Sequence, residues 1–357
     1  MIGLMILAAS PLWAQTFEPT LTVGAGIQTS YDHTQPEGGN SLDQFNLDHL
    51  RLYFSGDITK DISAMVNTDY SSSGDVMQVL DAVGMYHPSP HFNIWFGRFL
   101  PPSDRDNYTG PFYANLWKMY QDGIQDGYPA VYQGRDNGIA YWGDFKAGVA
   151  KIKVSVGAFD GGSLGTGSTQ LLAAGRVQID FWDPEGGYYL NSTYYGDKNL
   201  LAIAGATQEQ NGKTATTVDF LMEKKVMNGG AFTIESEYSD YNRLGGYNAD
   251  YTKSQGAYGL VSFLVPKQIG IGKVEFLGKF AEAQFTGGVP LGTKTKAVFP
   301  SDRQKTTDAE IGYIMKQFDA RLFAYGENVT FNGGAGNYWN AGLGLQLQLS
   351  KQILGPK

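Results

Sequence analysis

The side chains with chemistry to offer gather in and just after the stretch GRFLPPSDRDNYTGP, residues 97 to 111, where Arg105 stands between Asp104 and Asp106. Lys118, Asp122 and Asp126 follow in the same aromatic-rich segment. Mixed charges of this kind, brought to a narrow passage, set the ionic preference of whatever passes. Clustered carboxylate oxygens can also hold a hard cation, but the calcium-loop spacing is missing. Elsewhere, His87-Pro-Ser-Pro-His91 places two histidines around a rigid turn with no further ligand to complete a metal site. Nucleophilic catalysis needs a serine with a placed histidine, and neither His33 nor His49 has such a context, so no enzyme is expected. GGAGNYWNAGLG has no helix after it, so its glycines belong to a turn and a strand rather than to a phosphate cradle.

The absence of cysteine removes disulfides, thiolate metal sites and covalent haem attachment. No cofactor is expected. A net charge of -8 without a basic cluster argues against a nucleic-acid partner. The N-terminal run MIGLMILAASPLWAQ ends in a small residue at Ala14, with Gln15 following, and is too short for a spanning helix, which needs about 20 apolar residues. It reads as a signal peptide over residues 1 to 14, followed by a single domain from 15 to 357.

What must position the charged segment is a series of strands. From Thr20 onward apolar residues recur singly at every second position, with turn residues between the runs. The last run is the clearest. Trp339, Ala341, Leu343, Leu345, Leu347 and Leu349 alternate with Asn340, Gly342, Gly344, Gln346, Gln348 and Ser350. Because the second face is polar, a water-lined interior and a lipid-facing outside fit better than a two-layer sandwich. The runs lie near 20–31, 46–58, 61–71, 76–87, 91–99, 135–145, 149–160, 171–183, 200–209, 215–226, 231–242, 254–265, 271–286, 305–317, 319–331 and 338–350, which predicts an all-β, antiparallel transmembrane barrel of about sixteen strands. Lengths suit tilted barrel strands of about 9 to 11 residues. With a periplasmic N-terminus, the long connections fall on the external side, except 184–199. Parity makes that stretch a periplasmic connection; a strand there would give seventeen.

Parity also sorts the charges. Arg51, Lys151, Lys153 and Arg176 point inward as a basic arc, and Arg98 joins them only if a bulge lies at Gly97; otherwise it is a rim residue. Asp219, Glu223, Glu235, Glu237, Asp308 and Glu310 form an acidic arc from other strands. Facing each other across a narrow lumen, the arcs would impose a transverse field. The third external connection, 100–134, exceeds the length of an ordinary loop, and Tyr108, Phe112, Tyr113, Leu116, Trp117, Met119 and Tyr120 need something to pack on. Folded into the lumen, it makes a constriction from Asp104, Arg105, Asp106, Lys118, Asp122 and Asp126. The alternative is an outward cap.

The segments LRLYFSGDI (50–58), LDAVGMYHPSPHFNIWFGRFLPP (80–102) and DFWDPEGGYYLNSTYYGDKNLLAIAGA (180–206) resemble the phosphate-selective porin family of bacterial outer-membrane channels. That resemblance, spread over residues 45 to 350, implies a sixteen-stranded barrel, usually a homotrimer, passing small solutes passively. With 27 basic against 35 acidic residues, the chain departs from the arginine- and lysine-rich lining of phosphate-selective members. The expectation is therefore a passive channel in outer-membrane lipid for small hydrophilic solutes or ions, with at most mild charge selectivity. Two alternatives stay open: a barrel sheath for a partner such as an electron-transfer cytochrome, and an anion- or phosphate-specific channel.

Overall fold

A period of two puts successive side chains on opposite faces of a strand, and a sheet with one apolar and one polar face can close on itself without leaving an edge. The computed structural model describes residues 17–71, 76–124, 128, 133–161, 170–245, 251–288, 303–332 and 336–355. Its strands are β1 (Leu21–Pro36), β2 (Leu42–Thr59), β3 (Ile62–Ser71), β4 (Val76–Ser89), β5 (Phe92–Phe99), β6 (Asp136–Ala147), β7 (Ala150–Phe159), β8 (Leu172–Asp180), β9 (Leu200–Gln210), β10 (Lys213–Val226), β11 (Gly230–Asn242), β12 (Tyr251–Ile269), β13 (Gly272–Gly288), β14 (Arg303–Lys316), β15 (Ala320–Phe331) and β16 (Tyr338–Leu354). Each pairs antiparallel with its neighbours in sequence, and β1 pairs with β16, so the barrel closes.

The faces are inverted relative to a water-soluble protein. In β16 Leu343 and Leu349 are 60% and 68% exposed, while Asn340 and Gln346 are buried. β8 repeats the pattern, with Arg176, Gln178 and Asp180 buried and Val177 exposed. An apolar outside of this kind is stable only against lipid.

Register follows the parity of the sequence except at a few bulges. On β4, Asn67 pairs with Asp81 and Thr68 with Val79, so Leu80 is the extra residue. The bulge turns both Leu80 and Asp81 to the buried side. At the end of β12 the ladder to β13 shifts between Leu264 and Gln268, around Pro266, which has no donor to contribute.

The predicted runs match these strands with small differences at the ends. The connection expected over 32–45 contracts to 37–41, because β1 and β2 continue beyond the predicted ends. Residues 181–199 hold no strand. The segment between β5 and β6 carries α1 (Arg105–Tyr113), the one α-helix among the described residues. The expected signal peptide, residues 1–14, lies outside the described residues.

Candidate functional site

Leu100, Pro101 and Pro102 end β5, since proline cannot donate to the ladder. Asp104 then caps α1, its carboxylate accepting from the Asn107 amide. Gly110 has φ 59°, a left-handed conformation that only glycine takes easily, and Pro111 follows it. The helix is therefore a short, bent piece rather than an extended rod.

This segment is tied to the buried faces of strands from much of the barrel. The Gln28 amide of β1 donates to the Pro111 carbonyl at 3.0 Å. The Asn115 amide donates to Ser262 of β12 at 3.1 Å. The Trp117 amide donates to Glu310 of β14 at 2.8 Å. Arg321 of β15 donates to the carbonyls of Ala114 and Phe112, and Gln346 of β16 also donates to the latter. Apolar packing follows the same lines. Ala114, Leu116, Met119 and Ile124 sit in a cluster with Tyr258, Leu260, Leu277 and Phe285. Glycines leave room for the large rings: a Cβ at Gly26 would stand 2.7 Å from Phe112, and one at Gly344 2.5 Å from Trp117.

The charged residues expected from the sequence are present, but most of them are paired. Arg105 makes a two-pronged bond to Glu185 at 2.9 and 2.6 Å, donates to the Asn191 carbonyl at 2.9 Å, and has Nε 3.6 Å from Asp219. All three charged side chains are buried. Arg176 donates to both carboxylate oxygens of Asp219 and to the Ser103 carbonyl. Asp122 meets Lys279 of β13 at 2.6 Å, and Lys118 meets Asp32 of β1 at 3.1 Å. Lys151 and Lys153 flank Asp144 at 2.9 and 3.9 Å. Arg51 meets Asp69 at 3.1 Å. Asp126 lies outside the described residues.

Two expectations are corrected. The basic and acidic arcs do not face one another across open space: they meet at Arg176 and Asp219, and Arg105 adds a second cation to the acidic side. Buried charges demand partners, and Arg105, Lys118 and Asp122 supply some of them. Arg98 does not belong to the basic arc. The ladder runs from Phe96 to Phe99 without a shift, so no bulge lies at Gly97; Arg98 keeps the parity of Phe96 and donates to Asn137 at 3.0 Å. It is a rim residue.

The acidic arc divides by partner. Glu223 accepts from the hydroxyl of Thr193 and the amides of Tyr194 and Gly196, each at 2.7 Å, so it caps a turn. Asp308 pairs in register with Lys279. Glu235 and Glu237 are buried close to Asp104 and Asp106. Burial, with the adjacent Asp106 charge, pushes the Asp104 carboxyl well above its usual value; burial likewise raises that of Asp106 despite Lys279 nearby. At Glu185 burial works upward too, but the Arg105 charge and the donors of Arg105 and Tyr194 outweigh it and hold the carboxyl at about 2.

Of the charged groups around an opening beside α1, parity revealed Arg51 but not Asp81 or Arg135. A cavity of about 370 Å³ is lined by Arg51, Tyr53, Asp81, Tyr108, Arg135 and Tyr189, among others. Arg135 approaches Asp81 at 3.4 Å, and Tyr189 donates to the same carboxylate at 2.8 Å. Asp81 is turned inward by the Leu80 bulge, Arg135 ends the long connection, and Tyr189 comes from 181–199. The two histidines of the β4–β5 hairpin diverge, His87 to Ser63 and His91 to the Asp144 carbonyl.

Searches against family models and against curated proteins find no match. Among solved structures, the chain is similar to an anion-selective porin from Comamonas acidovorans, with a TM-score of 0.57 and 14% identity over 93% of this chain and 100% of that one. The fold is that of the outer-membrane porins. The outer-membrane channel DcaP of Acinetobacter baumannii gives a TM-score of 0.57 at 12% identity, over 94% and 98% of the two chains. OmpF of Salmonella typhi, solved with daunomycin, gives 0.52 at 12%, over 92% and 97%. At these identities the shared property is the porin barrel fold itself.

Proposed function

We propose that the protein is a passive diffusion channel in outer-membrane lipid for small hydrophilic solutes or ions, its N-terminal 14 residues serving as a signal peptide. Residues 100–124 fold into the lumen and narrow it. The observation that carries this reading is the bonding of residues 103–124 to the buried, polar faces of β1, β8, β12, β13, β14, β15 and β16. An outward cap could not reach so many inner faces at once. A partner protein threaded through the barrel is disfavoured, because the same volume is taken by the chain itself.

Selectivity is mild in this reading. Arg51 and Arg135, which line the cavity, each stand against a carboxylate, so the lining offers a solute paired rather than single-sign charge. The resemblance to the phosphate-selective porins carries the homotrimer with it, while the balanced lining supports a general channel over a phosphate-specific one. Purified protein in planar bilayers should give stable open steps with a reversal potential near zero in a salt gradient. A folded barrel that never conducts would overturn the reading, and a strongly anionic reversal potential would restore the phosphate alternative.

A further inference from the structure

The connection 181–199 leaves the barrel at the end opposite to the long segment, and a simple turn is all that joining β8 to β9 requires. Instead it buries Glu185, Tyr188, Leu190, Ser192, Thr193 and Tyr195, and it is bonded to the segment that comes from the other end. Glu185 grips Arg105, the Ser192 amide donates to the Tyr113 carbonyl at 3.1 Å, and the Tyr188 hydroxyl donates to the Leu100 carbonyl at 2.8 Å. The rings continue the contact, with Tyr188 5.0 Å from Tyr108 and 4.5 Å from Trp95 between centroids. Behind it, Tyr194 covers Leu200, Ala202 and Leu221 on the buried faces of β9 and β10. Its own fold is anchored by Glu223, which accepts three hydrogen bonds from Thr193, Tyr194 and Gly196. In front, Tyr189, Leu190 and Asn191 form one side of the cavity whose other side is Arg51, Tyr53 and Asn67 of β2 and β3.

We propose that 181–199 is the second half of the constriction: it shuts off the β8–β10 side of the lumen, holds α1 in place through Glu185, and confines passage to an off-axis path along β2, β3 and β4. This rests on the channel reading given above. Two inserted segments, one from each end, then meet near the middle of the barrel, and neither is placed without the other. Glu185 acts as a positioning residue. Tyr189 and Asp81, with Arg135, shape the wall that a solute touches.

Because the chain has no cysteine, single thiols report accessibility without background. The Asn67→Cys thiol, in the cavity, and the Ala202→Cys thiol, beneath Tyr194, are treated with a small charged methanethiosulfonate in the full-length protein reconstituted into liposomes. The first should react readily and the second at least roughly tenfold more slowly, as expected for a site reached only by local opening. In planar bilayers the same reagent should lower the open step of the Asn67→Cys variant alone. Replacing 185–195 by a short Gly-Ser turn should expose the Ala202→Cys thiol and raise the open step roughly twofold, since a wider path conducts more. Equal labelling of both thiols in the intact chain overturns the proposal, whether or not the shortened variant folds. An unchanged step in a folded shortened variant does so too. If the two single-cysteine variants label as expected in liposomes but never conduct, the channel reading fails while the closed β8–β10 side stands.

Discussion

Replacing Arg105 by methionine removes the guanidinium that ties α1 to Glu185 and Asn191. Glu185 loses a two-pronged partner and Asn191 loses a donor. The carboxylate stays buried, where an unpartnered charge is costly, but Gln178 and Tyr194 still donate to it at 2.7 and 2.6 Å. Breaking a buried pair costs about 3 to 5 kcal/mol, and the two remaining donors place this case near the lower end. Neither side chain is exposed, so solvent screening takes nothing from that figure. About 3 kcal/mol is roughly a hundredfold in the population of the undocked segment. The Ala114→Cys thiol, buried at the end of α1, reads that population through its rate of modification when reclosing is fast. Its rate should rise roughly a hundredfold in the Arg105→Met background, while the Asn67→Cys rate stays put. Adding Glu185→Leu should recover most of the loss, because an apolar pair needs no counter-charge. A change of less than about threefold, under 1 kcal/mol, would refute the idea that this pair locks the constriction.

Other outcomes follow from the same geometry. The Glu185 carboxyl is held at about 2 against an ordinary 4.5, so its contribution is complete above pH 4.5 and is lost as pH falls through about 2; pepsin should cut 184–199 only near that lower limit, and cleavage at pH 4 would contradict this. The Asp106 carboxyl is raised instead, so its ionisation opposes folding above its ordinary 3.8. Asp106→Asn should therefore raise the thermal midpoint at neutral pH and leave it unchanged below that value. Arg51→Gln and Arg135→Gln, beside the cavity, should shift the reversal potential toward cations, whereas Lys153→Gln, covered by the Gly187 carbonyl, should not. Leu343→Arg on the outer face should destabilise the barrel in lipid by about 2 to 4 kcal/mol, measured by urea unfolding from vesicles; a neutral effect would argue that the outside does not face lipid.

The barrel was readable because lipid outside and polar groups inside write a period of two into nearly every strand. The run from Trp339 to Ser350 shows this, and so does the parity of Asp219, Glu235 and Asp308, all of which the structure buries. What alternation cannot carry is a break in register or a contact between distant segments. Asp81 reaches the cavity because Leu80 is an extra residue, and nothing in the local pattern marks that bulge. Arg98 required a bulge that the ladder does not contain. Arg105 was visible as a charged residue in a long aromatic segment, but its partner Glu185 lies 80 positions away in what parity reads as a periplasmic connection. The arcs looked like facing charges because strand order says nothing about what fills the space between them.

The central claim is that residues 103–124 narrow a conducting lumen. Its direct test is the single-channel conductance of wild type beside a variant in which those residues are replaced by a short turn. Both should give stable steps, with the larger step in the variant. Equal steps from two folded barrels would contradict it.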